Sequence, residues 1–263
     1  MEIIFCGTGG ARFVVVKQLR ATGGFIIRGK ANIYFDPGPG ALIRSLELKQ
    51  DLRKLDAIVV SHAHIDHSND CNLIIEAMTD GGKRRRGMLV GSSSALEGNE
   101  RFDRVVSAYH KKLVEKSIVV KPGERLSIKG VAIEATPTKH DDESGLGFRI
   151  TSDGRTVGYT GDTDYIPELG KIFSGCDCLI INNLKPAGCH YPGHLDSELS
   201  IRILKEAKPK KAIIQHFGMG MLRAGPEAEA RFIQKESGVE TIAAKDGMIV
   251  KIEEGKKLTD FEG

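Results

Sequence analysis

Short apolar runs, not long amphipathic stretches, set the rhythm of this chain. Glu2-Ile3-Ile4-Phe5-Cys6, Phe25-Ile26-Ile27-Arg28, Asn32-Ile33-Tyr34-Phe35, Ala57-Ile58-Val59-Val60 and Met88-Leu89-Val90-Gly91 are rich in β-branched and aromatic residues and bounded by turn formers. Such runs predict buried strands. Gly7-Thr8-Gly9-Gly10 closes the first as a tight loop and lacks the glycine spacing of a phosphate-binding fingerprint. Gly29-Lys30 predicts a hairpin between the second and third runs. Asp36-Pro37-Gly38-Pro39-Gly40 stops the third, with a helix expected from Ala41.

Helical patterning follows through Leu73-Ile74-Ile75-Glu76-Ala77-Met78, and a polar helix is expected near residues 101–110. Strands are predicted over 117–121, 125–129, 131–136, 146–151 and 156–160. Further strands at 178–181, 211–215 and 248–252 alternate with helices at 197–207 and 226–237. Two strand-rich stretches, each followed by helices, predict two sheets packed face to face with helices outside. No low-complexity linker or repeat interrupts the pattern, so a single domain over residues 1–263 is expected.

Composition adds limits. At 263 residues, 40% apolar and 28% charged, the chain is an ordinary globular one with room for a large core. A net charge of +3 argues neither for nor against a nucleic-acid partner. No run approaches the ~20 apolar residues of a membrane span, and Met1-Glu2-Ile3 shows no signal-peptide region, so a cytoplasmic protein without membrane contact is expected. A homodimer is compatible with all of this. The five cysteines are scattered without a CxxC pair and suit a reducing compartment, although Cys189 beside His190 leaves a second metal site open. Lys83-Arg84-Arg85-Arg86, between glycines, reads as a solvated loop or as a patch for phosphate backbones.

The chemistry concentrates in Ser61-His62-Ala63-His64-Ile65-Asp66-His67, directly after the 57–60 strand, with a helix expected to begin near His67. A lone histidine is usually a satisfied core residue. Three imidazoles and a carboxylate within six positions are a metal-ligand set, and a turn at a strand end can aim all four inward where a regular helix would splay them. His140, Asp162 and His216 each follow another apolar strand. In open α/β sheets that edge is where ligands bind.

His62-x-His64-x-Asp66-His67, then His140, Asp162 and His216, resemble in order and spacing the metallo-β-lactamase superfamily of dinuclear hydrolases, and Asp36 resembles its first motif. The resemblance covers almost the whole chain and implies an α/β fold of αββα sandwich type with the site at one edge. It implies two divalent ions, Zn²⁺ first, with Mn²⁺ or Fe²⁺ as alternatives. His62, His64 and His140 would hold one ion, Asp66, His67 and His216 the other, with Asp162 bridging and Asp36 orienting a ligand imidazole. Two ions ~3.5–4 Å apart can clamp a hydroxide and the oxygens displaced at phosphorus.

The segment after His140, with Gly147-Phe148, and the opening glycine loop look like the ribonuclease Z and cyclic-phosphodiesterase branch. His194, just before the helix cap Asp196, stands where that branch has a proton donor to the leaving alkoxide. Asp66 and His194 are therefore the candidate catalytic residues, and Lys185 or Lys139 a candidate phosphate contact. Two departures matter. Only 21 residues separate His140 from Asp162, too few for a tRNA-gripping arm, and Ser68-Asn69-Asp70-Cys71 replaces the family's usual glycine-leucine-proline-glycine. The expected substrate is thus a phosphodiester: a small or cyclic nucleotide, or an RNA end.

Three other readings are weaker. A thioester or lactone hydrolase would use the same metals, but the 47 residues after His216 leave little room for the glyoxalase II helical domain. A nucleic-acid-binding protein dominated by the basic run would not need a complete ligand set. A redox diiron centre is disfavoured because that branch has Glu where this chain has His64.

Overall fold

Alternate residues of each apolar run enter different cores in the computed structural model, which describes residues 1–252. β1 (Glu2–Phe5), β2 (Phe25–Arg28), β3 (Asn32–Phe35), β4 (Ala57–Val60), β5 (Met88–Gly91) and β6 (Lys116–Val119) lie side by side in chain order. A second sheet takes β7 (Arg125–Ile128), β8 (Val131–Pro137), β9 (Leu146–Ser152), β10 (Arg155–Tyr159), β11 (Cys178–Lys185), β13 (Lys211–Gln215) and β14 (Thr241–Ala243), with the short β12 (Leu195–Asp196) on β11. β15 (Ile249–Lys251) returns to the first sheet and pairs with β1.

Strand direction follows from what connects the strands. β1, β2 and β3 are joined without a crossover and pair antiparallel, as do β7 to β10. From β3 to β6 and from β10 to β14 the pairing is parallel, which requires crossover elements. Those are α2 (Ala41–Glu47), α3 (Ile65–Ser68), α4 (Cys71–Met78), α5 (Ser93–Leu96) and α6 (Ala108–Leu113) over the first sheet. Over the second lie α7 (Leu169–Ile172), α8 (Ser197–Ala207), α9 (Met219–Ala224) and α10 (Pro226–Ser237). One short helix, α1 (Arg12–Lys17), sits between β1 and β2.

Ile3, Phe5, Ile33, Phe35, Ala57 and Val59 face Phe148, Ile150, Val157, Ile180 and Ile213 between the sheets. Their neighbours Ile4, Tyr34, Ile58 and Val60 face the first helical layer with Ile74, Ile75 and Met78. Leu179, Ile181, Ala212 and Ile214 face the second, with Ile203, Leu204 and Ile233. The period of two thus builds three cores and the expected four-layer αββα order.

The hairpin between β2 and β3 forms as expected, with Arg28 paired to Asn32 across Gly29-Lys30-Ala31. Two local expectations need correction. The helix after the histidine cluster begins at Ile65, two residues early, so that His67 lies inside it. The expected helix near 101–110 is mostly loop: the Asn99 side chain accepts the backbone N–H groups of Arg101 and Phe102, and a helix starts only after Ser107 caps it, running on to Leu113.

The inner core has an aromatic centre. Phe25 stacks on Phe35 with ring centroids 5.0 Å apart and meets the edge of Tyr159 at 5.0 Å, so it joins the two sheets. Phe25→Ala should lower the unfolding free energy by about 3–5 kcal/mol in denaturant melts, and Phe25→Leu by less. A loss under about 1 kcal/mol for the alanine variant would contradict this packing.

Candidate metal centre

Parallel strands of one sheet end at the same edge, and both sheets bring their C-terminal ends to one pocket. His62, His64, Asp66 and His67 follow β4, His140 follows β8, Asp162 follows β10 and His216 follows β13. Sharp turns aim them. Asp36 at the end of β3 and His216 at the end of β13 have φ of 50° and 63°, a left-handed conformation that costs a non-glycine residue roughly 1–2 kcal/mol and collects at functional sites. Gly10 of the opening loop lies so close to His216 that a Cβ there would fall 2.4 Å from the imidazole ring. The next residue, Ala11, donates its N–H to Oδ2 of Asp66 at 2.9 Å. The glycine loop is therefore part of the centre, beyond the turn role its sequence shows.

Proton accounting assigns the nitrogen offered by four of the imidazoles. The buried carboxylate of Asp36 can only accept, and it takes Ser61 N–H, Ser61 O–H, the Tyr159 hydroxyl and Nδ1–H of His67. In its neutral, ligand form His67 then has the lone pair of Nε2 facing the pocket. Because the Ser61 hydroxyl donates to Asp36, its oxygen must accept from Nδ1–H of His62 at 2.9 Å. Nε2 of His62 is then free, and it is buried with no partner in the protein. Nδ1–H of His140 donates to Gly193 C=O at 2.8 Å, freeing Nε2. Oδ1 of Asp141 lies 3.3 Å from Nε2 of His64 and 3.1 Å from Nε2 of His140; with Nδ1 of His140 already engaged by Gly193, the proton facing Asp141 is placed on His64, which then offers Nδ1.

The freed atoms stand where ligands of an ion would stand. A tetrahedron with edges of about 3.3–3.4 Å surrounds a zinc bound at about 2.0–2.1 Å. Nδ1 of His64 and Nε2 of His140 are 3.1 Å apart. Nε2 of His67 and Nε2 of His216 are 3.1 Å apart, His216 lies 3.3 Å from Asp66 Oδ2 and 3.2 Å from Asp162 Oδ2, and His67 lies 3.4 Å from Asp162. The triads His62/His64/His140 and Asp66/His67/His216 each bring three ligand atoms within 4.8 Å of one another, and Asp162 shares such triads with both sides. The residues fit a two-ion centre.

Charge without ions is correspondingly uneven. Burial, reinforced by neighbouring imidazoles, drives His62 well below its usual pKa and lowers His64 too. Burial alone would depress His67 as well, but Asp162 and Asp66 outweigh it and hold that imidazole well above 6.5. Burial works to raise Asp162, yet His216 and His67 keep it well below the carboxylate range.

The remaining expectations divide. His194 stands in the same pocket, its buried Nδ1 without a hydrogen-bond partner and 3.6 Å from Asp162 Oδ2. A cavity of about 680 Å³ opens in front, lined on one side by Arg12, Phe13 and Ile65 and on the other by Lys185, Tyr191 and Met219. Lys139 does not line it and lies 3.8 Å from Asp164. The basic run sits at the start of β5, the end of the sheet away from the centre, and the Arg85 and Arg86 guanidiniums cap carbonyls of Val114 and Leu55. Among the described residues neither Cys189 nor His190 joins a metal-sized group. The sequence reading missed Tyr159, Asn182 and Asp142; Asp142 accepts from Ala63 N–H at 2.9 Å and so pins the turn between His62 and His64. A polar Asn182-Asn183 pair ending an apolar strand was the available signal for the second of these.

A model of the beta-lactamase superfamily domain matches residues 31–217, and the chain belongs to that superfamily. It is 39% identical to the uncharacterized protein MJ1374 of Methanocaldococcus jannaschii over 97% of both chains. To the UPF0173 metal-dependent hydrolase Ta0764 of Thermoplasma acidophilum it is 28% identical over 77% of this chain and 84% of that one. A ribonuclease Z of Methanosarcina acetivorans is 26% identical over 59% of this chain, which spans half of that relative. Among solved structures, the metallo-beta-lactamase fold protein YhfI of Bacillus subtilis superposes with a TM-score of 0.78 at 22% identity, covering 95% of this chain and 98% of that one. A diphosphatase of the PhnP family gives 0.70 at 20%, covering 96% and 98%. These two likenesses carry the fold alone. No described helix is long and apolar enough to cross a membrane.

Two outcomes follow from the geometry. Gly10→Ala should displace His216 and weaken zinc binding about 10-fold or more in a chelator competition; unchanged affinity would show that the loop yields freely. Burial pushes His194 down to about 4. Its folded value lies below the unfolded 6.5, so its share of stability is present above pH 6.5 and drains away as pH falls toward 4. NMR titration of metal-free protein should give a midpoint near 4, and His194→Asn should flatten the stability slope between those pH values.

Proposed function

We infer that the protein is a metal-dependent hydrolase that cleaves a phosphodiester: a small or cyclic nucleotide, or an RNA end. The observation that carries this reading is the pairing of a complete two-ion ligand set with a nucleotide-sized cavity whose mouth holds the cations Arg12 and Lys185. Two positive side chains beside a hydrolytic centre favour an anionic substrate over a neutral thioester or lactone. Relatives named ribonuclease Z support the same chemistry.

His62, His64 and His140 would hold one ion in this reading and Asp66, His67 and His216 the other, with Asp162 available to both. Mixed imidazole and carboxylate donors suit Zn²⁺ first, and Mn²⁺ or Fe²⁺ also. When bound, such ions supply Lewis acidity toward a phosphoryl oxygen and activate water at neutral pH. The chain's own residues do the rest. Arg12 and Lys185 bind and orient the phosphodiester anion, while Phe13, Ile65 and Tyr191 offer apolar surface to the group it carries. His194 delivers a proton from Nδ1 to the leaving oxygen. Burial disfavours its charged form, and a bound anion beside it restores the balance. General acid help of this kind contributes about 10²–10⁴ in rate.

The test is a substrate panel on zinc- or manganese-loaded protein: bis(p-nitrophenyl) phosphate, 2′,3′-cyclic nucleotides and an acyl-glutathione. Metal-dependent turnover of a phosphodiester is expected. Faster hydrolysis of the thioester, or no turnover of any phosphodiester, would remove the reading. His64→Ala and Asp162→Ala should abolish turnover through metal loss, whereas His194→Ala should lower it about 10²–10⁴-fold with both ions retained by elemental analysis. Full metal content in the two ligand variants would contradict the ligand assignment.

A further inference from the structure

Asp162 has two carboxylate oxygens, and only one of them faces the pocket. Oδ1 accepts a hydrogen bond from Nδ2 of Asn182 at 2.7 Å. Oδ2 is the atom near His216, His67 and His194, at 3.2, 3.4 and 3.6 Å. Asn182 lies near the end of β11, in register with Gln215 on β13, and is buried like Tyr159 and Gln215. Its position continues the inward-facing face of Ile180, at the place where the core between the sheets gives way to the centre.

The amide is fixed in orientation. Gln215 donates to its Oδ1 at 3.0 Å, and its Nδ2 gives one proton to Asp162 and the other to the Tyr159 hydroxyl at 3.1 Å. A flipped amide would set oxygen against the Asp162 carboxylate and nitrogen against the Gln215 amide nitrogen. Tyr159, having accepted from Asn182, donates onward to Asp36 Oδ2 at 2.6 Å, and Asp36 in turn holds His67 and Ser61. One directional chain therefore runs Gln215 to Asn182, and from there both to Asp162 and, through Tyr159, to the carboxylate that sets the tautomers of His67 and His62.

We propose that Asn182 is a positioning residue that keeps Asp162 presenting Oδ2 alone to the ion sites and, with Tyr159, ties both sites to one hydrogen-bonded frame. This rests on the two-ion reading given above. A merely structural Asn182 would contribute to folding and leave metal binding unmoved. A positioning Asn182 acts on the ions themselves.

The test is zinc binding by competition with a chromophoric chelator, on wild type, Asn182→Leu, Tyr159→Phe and the double variant, with the thermal midpoint of each metal-free protein and the visible spectrum of each cobalt-loaded protein alongside. Asn182→Leu should weaken the more weakly held ion about 10–100-fold and alter the cobalt spectrum. Tyr159→Phe, which leaves the Asn182 bonds to Asp162 and Gln215 intact, should cost about 10-fold or less, and the two losses should not multiply in the double variant because they break one chain. If Asn182→Leu fails to fold, Asn182→Ala decides in its place on the same measurements. Wild-type zinc affinity and cobalt spectrum in the variants would overturn the proposal, even with a lowered metal-free midpoint. Failure of the two-ion reading is a separate result: wild type would then bind fewer than two zinc ions, or His64→Ala would bind as many as wild type.

Discussion

A single buried carboxylate sets the terms for the whole centre. Asp36 accepts from Ser61 N–H and O–H, from His67 Nδ1–H and from the Tyr159 hydroxyl. A buried negative charge is costly unless its lone pairs are satisfied, and four donors meet that requirement without a lysine or arginine. The same four bonds decide the proton positions of two imidazoles and link the turn after β4 to the end of β10. The left-handed backbone at Asp36 is tolerated because this arrangement over-determines it.

Much of this is legible in the sequence itself. The strands announce themselves because each apolar run is short and closed by glycine, proline or aspartate, and because alternating residues have a core on either side. The ligands are legible for a related reason: each follows such a run directly, where the backbone of a parallel sheet ends. What stays hidden is what depends on partners distant in sequence. Nothing local marks Tyr159 as a donor to Asp36, 123 positions away, or distinguishes Asn182 from any buried amide. The expected helix over 101–110 failed because no apolar periodicity supports it and two short polar side chains, Asn99 and Ser107, bind the backbone instead. The glycine loop looked like a turn because the ring it accommodates, His216, lies at the far end of the chain.

The ligand set and the cavity mouth carry different kinds of information. Imidazoles and carboxylates at strand ends belong to the scaffold and would serve several hydrolytic chemistries. In the proposed reading, choice among substrates would fall to the rim, where α1 supplies Arg12 and Phe13 and the segment after β11 supplies Tyr191. The basic run contributes to neither, since it sits at the start of β5, the opposite end of the sheet, and Arg85 and Arg86 are engaged with backbone carbonyls.

The pocket also has a mechanical side. His62, His64, Asp66 and His67 hang from one sheet, and His140, Asp162 and His216 from the other. Ions gripped by both groups would rivet the two halves of the sandwich at their open edge, adding to the folded state a mass-action term absent from the denatured chain. Sliding or parting of the sheets would then have to wait for the cations to leave, so their escape rate would become the clock for unfolding.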